Sequence, residues 1–176
     1  MPAGPNRREV LAAGGAALGW FLIGGSRVWA TPADAASAGF SPQVLTEEQV
    51  RALDSIGEAL VPGATQAGLA AFVDNQLEAG SESKLMAKYV GVPVEQQTGF
   101  YRLSLDAVSL ALQKNTADEV LAAMAADAVP GWSGPPASYV MFLLRADALD
   151  VVYGTQAGFA QLGIPYSAHI LPEANW

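Results

Sequence analysis

The chain reads as an all-α protein, a compact bundle of about five to six helices with an irregular C-terminal tail. Three observations predict this. Thr46/Gln49 and Thr116/Glu119 each have the spacing of a capping box, the reciprocal side-chain lock that starts a helix. Apolar residues recur at intervals of three and four through most of residues 45–153. No segment sustains the two-residue alternation of a half-buried strand.

The first clear helix opens at Thr46, with Leu45 and Val50 at the two positions of a hydrophobic staple. Val50, Leu53, Ile56, Gly57 and Leu60 form its apolar stripe, and Val61-Pro62-Gly63 ends it because proline cannot continue the ladder. Leu69, Phe72, Val73 and Leu77 predict a second helix that stops near Gly80. A short helix is expected over Ser81 to Tyr89, carrying Leu85, Met86 and Tyr89. Pro93 suits a first-turn position, and the segment on to about Lys114 carries two stripes. One is Tyr101, Leu105, Val108 and Leu112; the other is Phe100, Leu103, Ala107 and Leu110. A helix apolar on two faces is expected at the centre of a bundle. Thr116 starts a helix through Val120, Leu121, Met124 and Ala128, and the proline- and glycine-rich 130–136 reads as a rigid loop. The last long helix runs from about Ala137 to Tyr153, with Val140, Met141, Leu144, Ala148 and Val151 facing inward.

The first thirty residues differ in kind. Arg7-Arg8 precede an uncharged run from Val10 to Ser26, which closes on Arg27-Val28-Trp29-Ala30. A positive start, a modestly apolar run and a small-x-Ala end predict an export signal, residues 1–30, with Ala30 or Ala35 as the processing point. Five glycines (14, 15, 19, 24 and 25) make the run a weak membrane helix. Asn6-Arg7-Arg8-Glu9-Val10-Leu11 resembles the twin-arginine signal, read by a translocase that moves folded proteins. Residues 31–44, rich in Ala, Ser and Pro without a period, read as a flexible tether. Residues 45–176 are then one helical domain, ending in a tail over 154–176.

The formal net charge is −8, and loss of residues 1–30 would take it to −10 by removing Arg7, Arg8, Arg27 and Glu9. Such a surface repels phosphate backbones and argues against nucleic-acid binding. The chain has no cysteine, which excludes disulfides, thiolate zinc sites and cysteine-held iron–sulfur clusters. His169 is the only histidine, so a catalytic triad or a multi-histidine metal site must form around it or not at all. Asp54/Glu58, Asp118/Glu119 and Asp147/Asp150 are acid pairs, and a solvated face or a salt bridge explains them better than acid–base work. Phosphate loops and nucleophile elbows are absent. No catalytic, cofactor-binding or metal site is expected in this chain. The tail is rich in aromatics and prolines that must rest either on the chain's own bundle or on another protein.

Several segments resemble the gluconate 2-dehydrogenase subunit 3 family. They are Leu45-Thr46-Glu47-Glu48-Gln49, Leu60-Val61-Pro62-Gly63-Ala64, Ala71-Phe72-Val73-Asp74 with Gln76-Leu77, and above all the tail. The tail matches are Asp150-Val151-Val152-Tyr153-Gly154-Thr155, Gly158-Phe159, Leu162-Gly163-Ile164-Pro165-Tyr166 and Ala168-His169-Ile170. The resemblance implies the small, non-catalytic subunit of a periplasmic dehydrogenase for sugars or alcohols. Its large partner would be a glucose-methanol-choline type flavoprotein holding FAD and an iron–sulfur cluster. A multihaem cytochrome c subunit would tie the complex to the membrane. The small subunit would assist the partner's folding and lend it the twin-arginine signal. Tyr153, Phe159, Ile164, Pro165, Tyr166, His169 and Trp176 are the expected contacts. The competing expectation is a stand-alone periplasmic ligand-binding or scaffold module, and a third is a hydrolase using His169.

Overall fold

A computed structural model describes residues 18–164, and the fold is mainly helical, as expected. In chain order it comprises β1 (Gly19–Ile23), β2 (Ser26–Ala30), α1 (Pro32–Ser37), α2 (Glu47–Leu60), α3 (Leu69–Ala79), α4 (Val94–Leu112), α5 (Ala117–Ala125), α6 (Ala137–Tyr153) and α7 (Gln156–Gln161). Two 3-10 turns, Gly80–Glu82 and Met86–Tyr89, stand where one short helix was expected.

Both capping boxes form. Thr46 and Thr116 accept the backbone N–H three residues on, and Gln49 and Glu119 reach back to the cap N–H. The fourth long helix, α6, is capped from a distance: Asp127 accepts the Ser138 N–H and hydroxyl, both at 2.7 Å. These bonds hold the Asp127 carboxyl below its ordinary range.

The centre of the bundle is α2, not α4. It packs against α3, α4, α5 and α6, burying Leu53 and Ile56 completely. Gly57 lets α3 approach, since a Cβ there would stand 2.3 Å from Leu69 Cδ2. Of the two stripes on α4, Tyr101, Leu105 and Val108 are buried. Leu103 and Leu110 are instead 47% and 60% exposed. The second stripe is thus split: Ala107 is buried and Phe100 packs on the core, whereas Leu103 and Leu110 stand away from the helices that the described chain supplies.

Two further expectations need correction. The segment over 31–44 is not a free tether. Thr31 caps α1, Ala35 is fully buried, and the Asp74 carboxylate on α3 accepts the N–H groups of Gln43, Val44 and Leu45 at 2.8, 2.9 and 2.7 Å. Apolar periodicity could not reveal this, because the anchor is one acid far along the chain. The second half of the expected export run is a β-hairpin, in register from Gly19 opposite Ala30 to Ile23 opposite Ser26. Gly24 and Gly25, at φ 56° and 79°, make its tight turn, the left-handed pair that suits a two-residue hairpin. Trp20 and Trp29 meet edge to face across it at 5.2 Å.

Candidate functional site

The tail begins in a more ordered way than its composition suggests. Thr155 caps α7 by accepting the Gly158 N–H at 3.0 Å. Gly158 is pressed against the end of α6, where a Cβ would meet the Val152 carbonyl at 2.3 Å. The Ile164 N–H donates to the Phe159 carbonyl beyond the left-handed Gly163, closing the helix end. The expectation of an irregular tail is therefore corrected for residues 156–161, which are helical because capping threonine and packing glycine act together.

Of the expected contact residues, Tyr153 and Phe159 are half-buried and Ile164 is 51% exposed. Pro165, Tyr166, His169 and Trp176 lie outside the described residues, as do Arg7, Arg8, Val10 and Leu11 of the export signal. Ala30 is the last residue of β2, paired with Gly19.

Exposed apolar side chains mark the outer face of α6. Phe142 and Leu149 are 51% and 40% exposed and stand two turns apart, with the half-buried Tyr153 one turn beyond Leu149. Leu162, 52% exposed, and Ile164 extend the apolar character just past α7. Phe142 and Leu149 lie outside the tail to which the sequence pointed. The signal lay in α6 itself, which is apolar well beyond its inward stripe. Half-buried Tyr139 of α6 links α4 to the loop before it, and exposed side chains stand on both. The Tyr139 hydroxyl donates to the Val90 carbonyl at 3.0 Å, its ring meets Phe100 at 6.0 Å, and Leu103 and Tyr89 stand exposed nearby in the chain. Apolar faces of this kind mark contact sites more often than isolated exposed residues do.

Beneath the α6 face lies a buried polar contact. Asp147, fully buried, accepts the Tyr101 hydroxyl at 2.5 Å and the Met86 N–H at 3.0 Å. The expected solvated or salt-bridged role for Asp147 is thus overturned: it fastens three elements from inside the core. Burial pushes its carboxyl up to about 6, against the two hydrogen bonds that pull it down, with Asp150 adding to the rise. Burial also drives the Tyr101 hydroxyl well above its ordinary range, and the Asp147 charge reinforces that.

The Asp54/Glu58 pair is divided by its surroundings. Burial, then the Glu58 charge, raises Asp54 to about 6. Glu58 is held low by the N–H groups of Gly63 and Thr65, which it binds at 2.8 and 3.0 Å. Asp54 lines an open cleft of about 270 Å³ with Phe40, Thr65, Ala70 and Ala71. Among the described residues no group of three acids or histidines is placed to hold a metal, and no helix is long and apolar enough to cross a membrane.

The class that fold and surface define is a small helical domain with an N-terminal hairpin and two exposed apolar faces. No family model, curated protein or solved structure matches this chain.

Proposed function

We propose that this chain is the non-catalytic small subunit of a periplasmic FAD-dependent sugar or alcohol dehydrogenase. In this reading it carries the twin-arginine signal for its flavoprotein and supports that partner's folding. FAD and the iron–sulfur cluster belong to the partner, and a multihaem cytochrome c subunit receives the electrons.

The observation that carries the reading is the pairing of Arg7-Arg8 at the head of a weakly apolar run with the family-like tail from Asp150 to Ile170. The exposed apolar face of α6, running into α7, supports it, because a non-covalent pair exported together needs a surface that survives transit. A stable interface buries about 1,600 Å² and concentrates its energy in a few large side chains. Phe142, Leu149, Leu162 and Ile164 are of that kind and stand on adjoining elements.

The test replaces Arg7-Arg8 by Lys-Lys in the host and locates the flavoprotein by activity and immunoblot. Both subunits are expected to accumulate in the cytoplasm. A flavoprotein exported normally beside the altered small subunit would sink the proposal.

A further inference from the structure

We infer that the β1–β2 hairpin is a strap that docks on α3 and, while docked, withholds half of the export run and the Ala30 junction from the export machinery. The inference rests on the export reading above and adds a conformational control to it.

The docked state is specific. Phe21 is 4% exposed, in a small apolar cluster with Ala35 and Ala71. Gly19 lies against Asn75 so closely that a Cβ would stand 2.9 Å from Asn75 Cγ. The Asn75 amide donates to the Trp20 carbonyl at 3.0 Å, and Arg27 pairs with Glu78 one turn further along α3. On its other edge β1 receives the Ser41 N–H at Leu22 and bridges Phe40 from Ile23. The junction is held too: Ala30 pairs with Gly19, and Thr31 is already the cap of α1.

The strap can also be released. Its apolar cluster has only three buried residues and meets the main core at the half-buried Phe40, and Ser26, Arg27 and Val28 of β2 are exposed. A two-stranded hairpin has little stability of its own in water, so without α3 it opens. Docking and engagement exclude one another, because a strand paired in a ladder and a bond beside a capped helix cannot be threaded or cut without local opening. The glycine pair that weakens Val10 to Ser26 as a membrane helix is what lets it turn back on the body.

The absence of cysteine allows a clean lock. In a Gly19→Cys/Asn75→Cys chain the sulfur at 75 replaces Cγ and comes within bridging reach of the new Cβ at 19. The full-length chain, oxidised or reduced, is presented to inverted inner-membrane vesicles bearing the twin-arginine translocase. Quantitative disulfide formation, loss of import and of cutting at Ala30 when oxidised, and recovery of import on reduction are expected. Failure of the two cysteines to pair in the folded protein would overturn the docked strap. Equal import of oxidised and reduced chains would overturn the withholding. If the unaltered chain is not imported while a control precursor is, the export reading falls instead, and disulfide formation alone then decides whether the strap docks.

Discussion

The Tyr101 hydroxyl donates to Asp147 at 2.5 Å in a region where both residues are fully buried, and this bond fastens α4 to α6. The second carboxylate oxygen takes the Met86 N–H, so one acid on α6 holds α4 and the 3-10 turn that precedes it in the chain. No cation accompanies it among the described residues; the two donors alone offset part of its desolvation.

Removing either partner should therefore cost stability. Tyr101→Phe deletes one donor and is expected to cost about 1–3 kcal/mol in urea unfolding, the usual penalty for an orphaned buried group. Asp147→Ala should cost more, since it strands the Met86 N–H as well and opens a cavity. A Tyr101→Phe protein as stable as the parent would show that the bond contributes nothing net.

The same acid predicts a pH dependence. Its ordinary value is 3.8 and its folded value about 6, so the folded state binds a proton more readily than the unfolded chain. Stability from this group is complete below the ordinary value and is lost as pH rises through about 6. That gap is worth about 3 kcal/mol at full ionisation. Asp54 and Asp150 are raised too and act in the same direction. Urea midpoints should be higher at pH 5 than at pH 7.5, and Asp147→Asn should flatten the difference. An unchanged slope in that variant would place the effect elsewhere.

Asp74 offers a second test. Its carboxylate gathers three consecutive N–H groups from residues 43–45 and so fixes the entry into α2. Asp74→Ala should cost about 3 kcal/mol, because the buried Leu45 N–H keeps no partner while its neighbours turn to water. Hydrogen exchange at residues 43–45 should rise before that of α4. Unchanged protection there would contradict the anchoring role.

On the α6 face, Phe142→Ser and Leu149→Ser should leave urea stability within about 0.5 kcal/mol, as exposed substitutions do. They should nevertheless weaken recovery of the proposed flavoprotein partner with this chain, as should Ile164→Ala with Tyr166→Ala. Undiminished co-purification would move the contact away from α6 and the tail, and the exposed Leu103 and Leu110 on α4 would be the next face to test.

Much of the architecture was legible in the residues. Thr46 and Thr116 announced their helices through local chemistry, and α3 and α6 followed from apolar spacing within a few turns. The hairpin was not read, although Gly24-Gly25 is a known signal for one, because the surrounding run looked like a leader and lacks polar alternation. Of the candidate contact surface, Ile164 was named from sequence; Phe142 and Leu149 were not, since an outward apolar face on a helix resembles an inward one until its neighbours are placed.

The sequence by itself determined where most helices start and stop, since caps, prolines and spacing act over one or two turns. Only the tertiary structure decided which faces are covered, that Asp147 lies inside with Tyr101, and that residues 19–45 are tied to α3 through Phe21, Asn75 and Asp74. The physical reason is range: a cap is satisfied by its neighbours, whereas burial and long-range hydrogen bonds depend on what the rest of the chain brings alongside.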